Sequence, residues 1–189
     1  MSRSPGSIRI IGGRWRGTKL AVPDSPGLRP SGDRVRETLF NWLLPKLPGA
    51  RVLDLFAGTG ALGLEAVSRG AARATLVERD PALAANLRAS VARLRAQDDV
   101  EVVQADALAW LPQQADGRFD IAFVDPPFAQ HLWQPALVAL QPKLAADAWV
   151  YIESAADVAP EPPPGWALHR EGRTREVRYA LCRAALGHG

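Results

Sequence analysis

From residue 51 onward, short apolar runs alternate with amphipathic ones. RVLDLF (51–56), ATLVE (74–78), VEVVQAD (100–106), FDIAFVD (119–125) and WVYIES (149–154) have the length and the β-branched and aromatic content of buried strands. The segments between them are ALGLEAVSRG (61–70), PALAANLRASVARLRA (81–96), ALAWLPQQ (107–114) and residues 133–146, and these read as helices. Pro81 suits a first helical turn, and Gly70 suits a helix end. Strands that alternate with helices predict an α/β chain, with a parallel sheet covered on both faces. The rhythm breaks after PEPPPG (160–165), a short rigid connector. WALHRE (166–171) and EVRYALCR (176–183) then predict a terminal hairpin that adds an antiparallel strand to the sheet edge.

Before residue 51 the pattern differs. IRII (8–11) and TKLAV (18–22) are β-like runs around GGRWRG, and Gly12-Gly13 supplies a turn, so a basic hairpin is predicted. Pro23, Pro26, Gly27 and Pro30 mark a loop. Val35, Leu39, Trp42 and Leu43 fall at helical spacing across about 32–44, with Ser31 or Asp33 as the expected cap. Pro45 and Pro48-Gly49 end that helix.

Charge sharpens this division. Residues 1–50 hold nine Lys/Arg against three Asp/Glu, whereas the remainder holds fourteen against seventeen. The net charge of +3 therefore belongs to the N-terminal segment. A local cationic excess suits a polyanionic partner, although on charge alone a solvated face without a partner is favoured. The single Cys182 forms no internal disulfide and suits a reducing compartment. No Cys/His cluster has metal-site spacing, so no metal is expected. No apolar run reaches 18 residues, and the start lacks an apolar signal core. A cytoplasmic, monomeric protein with no membrane contact is expected.

The first chemical signal follows the first core strand. Gly58, Gly60 and Gly63 spell GxGxxG between a strand and a helix. Glycines let a ligand approach the backbone, and the helix N-terminus offers unpaired N–H groups. A bare tight turn is the plainer reading; the placement favours a nucleotide site. Glu78 ends the next strand, about 20 residues on, where dinucleotide folds place a ribose-binding acid. Asp106 ends the third and can accept from an adenine amine. Asp54 stands just before the glycines. Its charge disfavours a pyrophosphate and suits a ligand carrying an amine and a sulfonium. Each acid alone reads as a helix cap or turn residue. Asp54, Glu78, Asp106 and Asp125 together terminate four strands on one carboxyl edge, where such sheets bind ligands.

The second signal is VDPPF (124–128). Pro126 and Pro127 cannot extend a ladder; they stiffen the loop and leave carbonyls free to accept. Asp125 adds a second acceptor, and Phe128 offers a flat face for a base. A nucleobase amine is a poor nucleophile because its lone pair is delocalised into the ring. Accepting its hydrogens localises that pair, and orientation lowers the barrier further. A rigid Pro-Pro turn with a buried Phe is the structural alternative.

VLDLFAGTG, LVERD, QADA and VDPPF, in this order, resemble the motifs of class I S-adenosylmethionine-dependent amino-methyltransferases. RIIGGRWRGTKL, GLRPSGDRVRETLFNWL and ARVLDLFAGTGALGLEAVSRGA look more narrowly like the RsmD family of 16S ribosomal RNA guanine-N2 methyltransferases, and the resemblance runs from about 8 to 183. It implies a Rossmann-like, seven-stranded, mostly parallel sheet whose last strand is antiparallel. It implies a catalytic domain over 47–186 and an RNA-binding hairpin-and-helix extension over 1–46. It implies S-adenosylmethionine as cofactor, with Gly58 and Gly60 at its methionine part, Asp54 near its amine, Glu78 at the ribose and Asp106 at the adenine. Phe56, Arg79, Ala107 and Asp125 complete that cofactor set. Asp125, Pro126, Pro127 and Phe128 would hold guanine N2 toward the methyl group. Two departures stand out: Ser31 replaces the usual Thr but keeps the hydroxyl, and REGRTREVRY leaves Arg173 and Arg175 without an assigned contact. The start, MSRSPGS, matches nothing and reads as a disordered terminus.

Arg9, Arg14, Arg16 and Lys19, with Trp15 among them, combine cations with a stacking surface, as RNA binders do. Arg29, Arg34 and Arg36 extend the set, though Arg34 and Arg36 must point to different faces of one helix. Packing onto the core is an equal alternative for Trp15, and Trp42 belongs to the core. His131, His169 and Cys182 are read as structural or solvent-exposed. The leading expectation is a guanine-N2 methyltransferase acting on 16S ribosomal RNA, in the 30S subunit or an assembly intermediate. Three others stay open. A DNA adenine or cytosine amino-methyltransferase would need a target-recognition domain for which 189 residues leave little room. An NAD oxidoreductase fits GxGxxG but not Asp54 or DPPF. A non-catalytic RNA-binding module would bind no cofactor.

Overall fold

The computed structural model describes residues 6–128 and 131–185. The expectation of a disordered start falls largely on residues 1–5, outside that range. Strands β3 (Arg51–Asp54), β4 (Arg73–Glu78), β5 (Val100–Gln104), β6 (Phe119–Val124) and β7 (Leu144–Ala155) are parallel, and β8 (Trp166–Arg173) and β9 (Val177–Ala185) complete a sheet of order β5-β4-β3-β6-β7-β9-β8. The Rossmann-like α/β expectation holds, including the antiparallel last strand. The terminal hairpin forms one edge of the sheet, as expected. β9 inserts between β7 and β8 and pairs antiparallel with both, which leaves β8 outermost.

Strand alternation explains the two layers. Val52, Ile121, Phe123 and Tyr151 face one cluster, with helices α1 (Asp33–Leu43), α2 (Ala61–Ser68) and α3 (Pro81–Arg93). Their chain neighbours Leu53, Ala122, Val124 and Val150 face the opposite cluster, with α4 (Ala107–Trp110) and α5 (Trp133–Leu140). Helix α5 is shorter than the run 133–146 suggested. It tightens into a 3-10 turn at Gln141–Lys143 and gives way to β7 at Leu144. Pro142 has no N–H to continue the helix, and its ring disfavours the α conformation at the residue before it.

The N-terminal segment packs into the same core as the sheet. β1 (Gly6–Arg9) and β2 (Lys19–Val22) form the expected antiparallel hairpin. Ile10 and Leu20 from the hairpin, and Leu39, Phe40 and Leu43 from α1, share a cluster with Val52, Phe123 and Tyr151. Burial of each such side chain contributes about 1.5–3 kcal/mol. The expected cap of α1 is absent: Gly32 stands at the N-cap with no side-chain bond, because the Ser31 hydroxyl is turned elsewhere.

Polar clamps hold the hairpin to α2. The Glu65 carboxylate, fully buried, accepts from the backbone N–H of Ile11 at 2.9 Å and from Gly12 at 3.5 Å. Ser68 Oγ donates to Gly12 O at 2.6 Å and accepts from Trp15 N–H at 3.0 Å. Gly13 has φ +79 and lies so close that an added Cβ would stand 1.9 Å from Ser68 O. Gly13→Ala therefore combines a left-handed backbone cost of about 1–2 kcal/mol with a backbone clash. Urea denaturation should show a loss of more than about 2 kcal/mol; a stability equal to wild type would contradict this clamp.

Candidate functional site

One cleft of about 830 Å³ opens at the carboxyl edge of the parallel strands. Asp54, Phe56, Gly58, Glu78, Arg79, Asp106, Ala107 and Asp125 to Phe128 all line it, so the cofactor and base-holding sets expected from the sequence converge on one site. Gly60 serves differently. It turns the chain at φ +81 as the N-cap of α2, and it does not line the cleft. Gly63 serves packing, since a Cβ there would meet Leu76 Cδ2 at 2.2 Å.

The strand-end acids are held by backbone donors. Asp54 Oδ2 accepts from Gly63 N–H in the first turn of α2 at 3.0 Å. The two Glu78 oxygens accept from Gly58 N–H at 2.9 Å and from Asp80 N–H at 3.0 Å. Asp106 Oδ1 caps α4 through Ala109 N–H at 3.0 Å, so its capping role and its place on the cleft coexist. Seven lining side chains are Asp or Glu and two are Arg. Such a cleft attracts a cationic ligand and repels a pyrophosphate.

The deepest part was only partly legible. Ser31 Oγ lies 2.6 Å from Glu153 Oε2 and 3.5 Å from Asp125 Oδ2, and Tyr151 donates to the same Glu153 oxygen at 2.9 Å. Glu153 is 4% exposed. Glu153 and Tyr151 were not among the expected site residues. The available signal was a lone acid within the apolar strand WVYIES. Burial raises Asp125 well above the usual carboxylate range, and the charges of Glu153 and Asp54 add to the rise. Burial also raises Glu153, against the Ser31 and Tyr151 hydrogen bonds and the Arg29 charge. Asp54 is pushed up to about 7 by burial, with the Gly63 N–H opposing and the Glu78 charge adding.

The basic residues divide. Arg9, Arg14, Arg16, Lys19 and Arg34 are exposed, and Arg14 lies 4.4 Å above the Trp15 ring and 2.8 Å from Asp99. Trp15 is partly buried against the core. Arg29 lines the cleft mouth and pairs with Glu176 at 2.6 Å. Arg36 is a correction. It is 0% exposed, and it donates to Arg9 O at 2.9 Å, to Ser31 O at 3.2 Å and to Asp33 at 2.5 Å. A phosphate cannot reach it; it ties the hairpin to the Ser31 loop. Trp42 is only partly buried and stacks on Tyr179 at 5.7 Å. Arg173 donates to Ala156 O at 2.6 Å.

A family model described as Conserved hypothetical protein 95 matches residues 8–183. The chain is 50% identical over 179 residues to ribosomal RNA small subunit methyltransferase D of Escherichia coli (strain K12), covering 93% of this chain and 89% of that one. The chain belongs to the RsmD family. A second relative of the same name, from Haemophilus influenzae (strain ATCC 51907 / DSM 11121 / KW20 / Rd), is 42% identical and covers 93% of each chain. A solved structure from Escherichia coli superposes with a TM-score of 0.85 at 46% identity, covering 95% of this chain and 99% of that one. The match over residues 8–183 spans the hairpin, the residues of the cleft and most of the terminal strands. Among the described residues, no group of three or more His, Cys, Asp or Glu is placed to hold a metal, and no helix is long and apolar enough to cross a membrane.

The raised Asp54 has a consequence for stability in this RsmD-family chain. Its folded-state value lies above the unfolded one, so its stabilising contribution is complete below about pH 4 and is lost as pH rises through about 7. Asp54→Asn should flatten the pH dependence of the urea midpoint between these limits, while Asp125 and Glu153 retain part of the slope. A variant with the full wild-type slope would show that Asp54 does not titrate there.

Proposed function

We propose that this protein transfers a methyl group from S-adenosylmethionine to the N2 amine of a guanine in 16S ribosomal RNA. It acts in the cytoplasm as a monomer, on the 30S subunit or an assembly intermediate. The observation that carries this reading is the convergence of Asp125–Phe128 with Asp54, Gly58 and Glu78 on one acid-rich cleft.

The residues present fit the cofactor. The acid excess suits a sulfonium and an ammonium. The Glu78 carboxylate has lone pairs left beyond its two backbone bonds, enough for ribose hydroxyls. Gly58, at φ +56, bares its backbone beside Leu28, whose Cδ1 would stand 3.1 Å from an added Cβ. Asp54 is placed for the amine and Asp106 for the adenine. Bound there, S-adenosylmethionine supplies an electrophilic methyl group. Asp125 and the Pro126 carbonyl accept the hydrogens of the guanine amine and aim its lone pair. The ring of Phe128, backed by Trp133 at 6.0 Å, offers the stacking face. The guanine must be unpaired or flipped to enter. Arg9, Arg14, Arg16, Lys19 and Arg34 lie on the hairpin and α1 and meet phosphates, with Arg29 at the mouth.

Asp125→Ala should retain cofactor binding by calorimetry and lower single-turnover methylation of small subunits by about 10²-fold or more. Full activity would remove Asp125 from the chemistry. Arg16 and Lys19 are exposed and carry no ion pair among the described residues. Replacing either by Ala should weaken RNA binding and reduce the salt slope of log K by about 0.7–0.9. An unchanged slope would place the RNA elsewhere.

A further inference from the structure

Asp125, Ser31, Glu153 and Tyr151 form a hydrogen-bonded line that leads away from the base-holding loop into the protein. Holding a base does not require two carboxylates at the floor of one cleft, one of them nearly sealed from water. The direction of the bonds is informative. A phenol and a serine hydroxyl both donate to Glu153 Oε2, at 2.9 and 2.6 Å, which marks that oxygen as the acceptor end. Ser31 has one proton for two acceptors, 2.6 Å from Glu153 and 3.5 Å from Asp125, so the shorter contact to Glu153 is favoured. Once Asp125 has taken a proton, it can donate in turn to Ser31 Oγ. This is the polarity of a relay that is ready to accept a proton at Asp125 and deliver one at Glu153.

We propose that Glu153 is the proton sink of the site, reached from Asp125 through the Ser31 hydroxyl. The inference rests on the reading of Asp125 as the acceptor of the guanine amine. The relay starts with both carboxylates ionised. As the N2 lone pair bonds to the methyl carbon and the C–S pair stays with sulfur, the N2–H bond breaks with its electron pair kept by nitrogen, and Asp125 Oδ2 takes the proton. Asp125 passes a proton to Ser31 Oγ as Ser31 gives its own to Glu153 Oε2. Asp125 returns to a carboxylate, Ser31 to a hydroxyl, and Glu153 ends neutral. The proton returns along the same line to solvent once the product has left. Tyr151 and Ser31 are positioning residues: one fixes the Glu153 oxygen and the other bridges the pair. Arg36 holds the Ser31 carbonyl at 3.2 Å and so sets the place of the bridge.

The groups that face the pair are Asp54 on β3, Tyr151 on β7, Tyr179 on β9 beyond it, and Arg29 in the loop before Ser31. Asp54 and Glu153 oppose ionisation of Asp125, and Arg29 favours ionisation of Glu153.

The test is the single-turnover rate of methyl transfer to small subunits as a function of pH, with cofactor affinity and melting temperature measured alongside. In the wild type the rate rises with pH as the pair ionises and then reaches a plateau. Glu153→Gln keeps an acceptor oxygen for Ser31 and Tyr151 but removes the basic site. Its plateau should fall by about tenfold or more. Its acid limb should move to lower pH, because Asp125 loses a neighbouring negative charge. Ser31→Ala, which removes one oxygen, should lower the plateau similarly, and Ser31→Thr should restore it. Cofactor affinity should stay within about twofold of wild type in all three, since neither Ser31 nor Glu153 is assigned to the cofactor. A Glu153→Gln plateau equal to wild type overturns the relay, as does a lowered plateau with an unmoved acid limb. Equal rates for Ser31→Ala and Ser31→Thr also overturn it. A wild-type enzyme that binds cofactor but methylates no guanine overturns the underlying reading of Asp125 instead.

Discussion

The structure depends on bringing carboxylates together without letting them repel the site apart. Parallel strands that end on one edge place Asp54, Glu78, Asp106, Asp125 and Glu153 around one cleft. At low local dielectric each charge disfavours its neighbours. Each acid therefore has its own donor: Gly63 N–H for Asp54, Gly58 and Asp80 N–H for Glu78, Ala109 N–H for Asp106, and two hydroxyls for Glu153. Asp125 has only the long Ser31 contact. The least satisfied acid is thus the one beside Pro126 and Pro127. Such a group has unused acceptor capacity, which is what an incoming amine requires.

The same requirement explains the N-terminal segment. The loop after the hairpin carries Ser31 into the cleft, and its position depends on Arg36, an arginine buried to bond three oxygens. Glu65 and Ser68 fasten the hairpin to the far end of α2, the helix that begins at the glycine loop. The basic face and the glycine loop are therefore mounted on one helix. The segment that the family resemblance marked as an RNA-binding extension also supplies a wall of the cleft.

Most of the fold was legible because its signals are local. The strand–helix alternation, the glycine loop and the four strand-end acids all follow from nearest-neighbour pattern. The errors arose where a residue's partner is distant in sequence. Arg36 resembled its neighbour Arg34, yet the three oxygens that bury it come from residues 9, 31 and 33. Ser31 looked like a helix cap, but its hydroxyl has a stronger acceptor 122 positions away. The terminal hairpin was legible at the sheet edge, but its pairing order was not, because pairing order is a long-range property: β9 lies between β7 and β8.

The sequence by itself determined the α/β class, the ligand edge, the acid-and-proline chemistry on that edge and the family to which the chain belongs. These depend on residue type and short spacing, which the chain carries in one dimension. The tertiary structure alone decided which cations are free, which glycines line the cleft and which line the core, and that Glu153 stands behind Ser31 and Asp125. Those are questions of burial and of hydrogen-bond direction. They are settled only when segments far apart in the chain exclude water from one another.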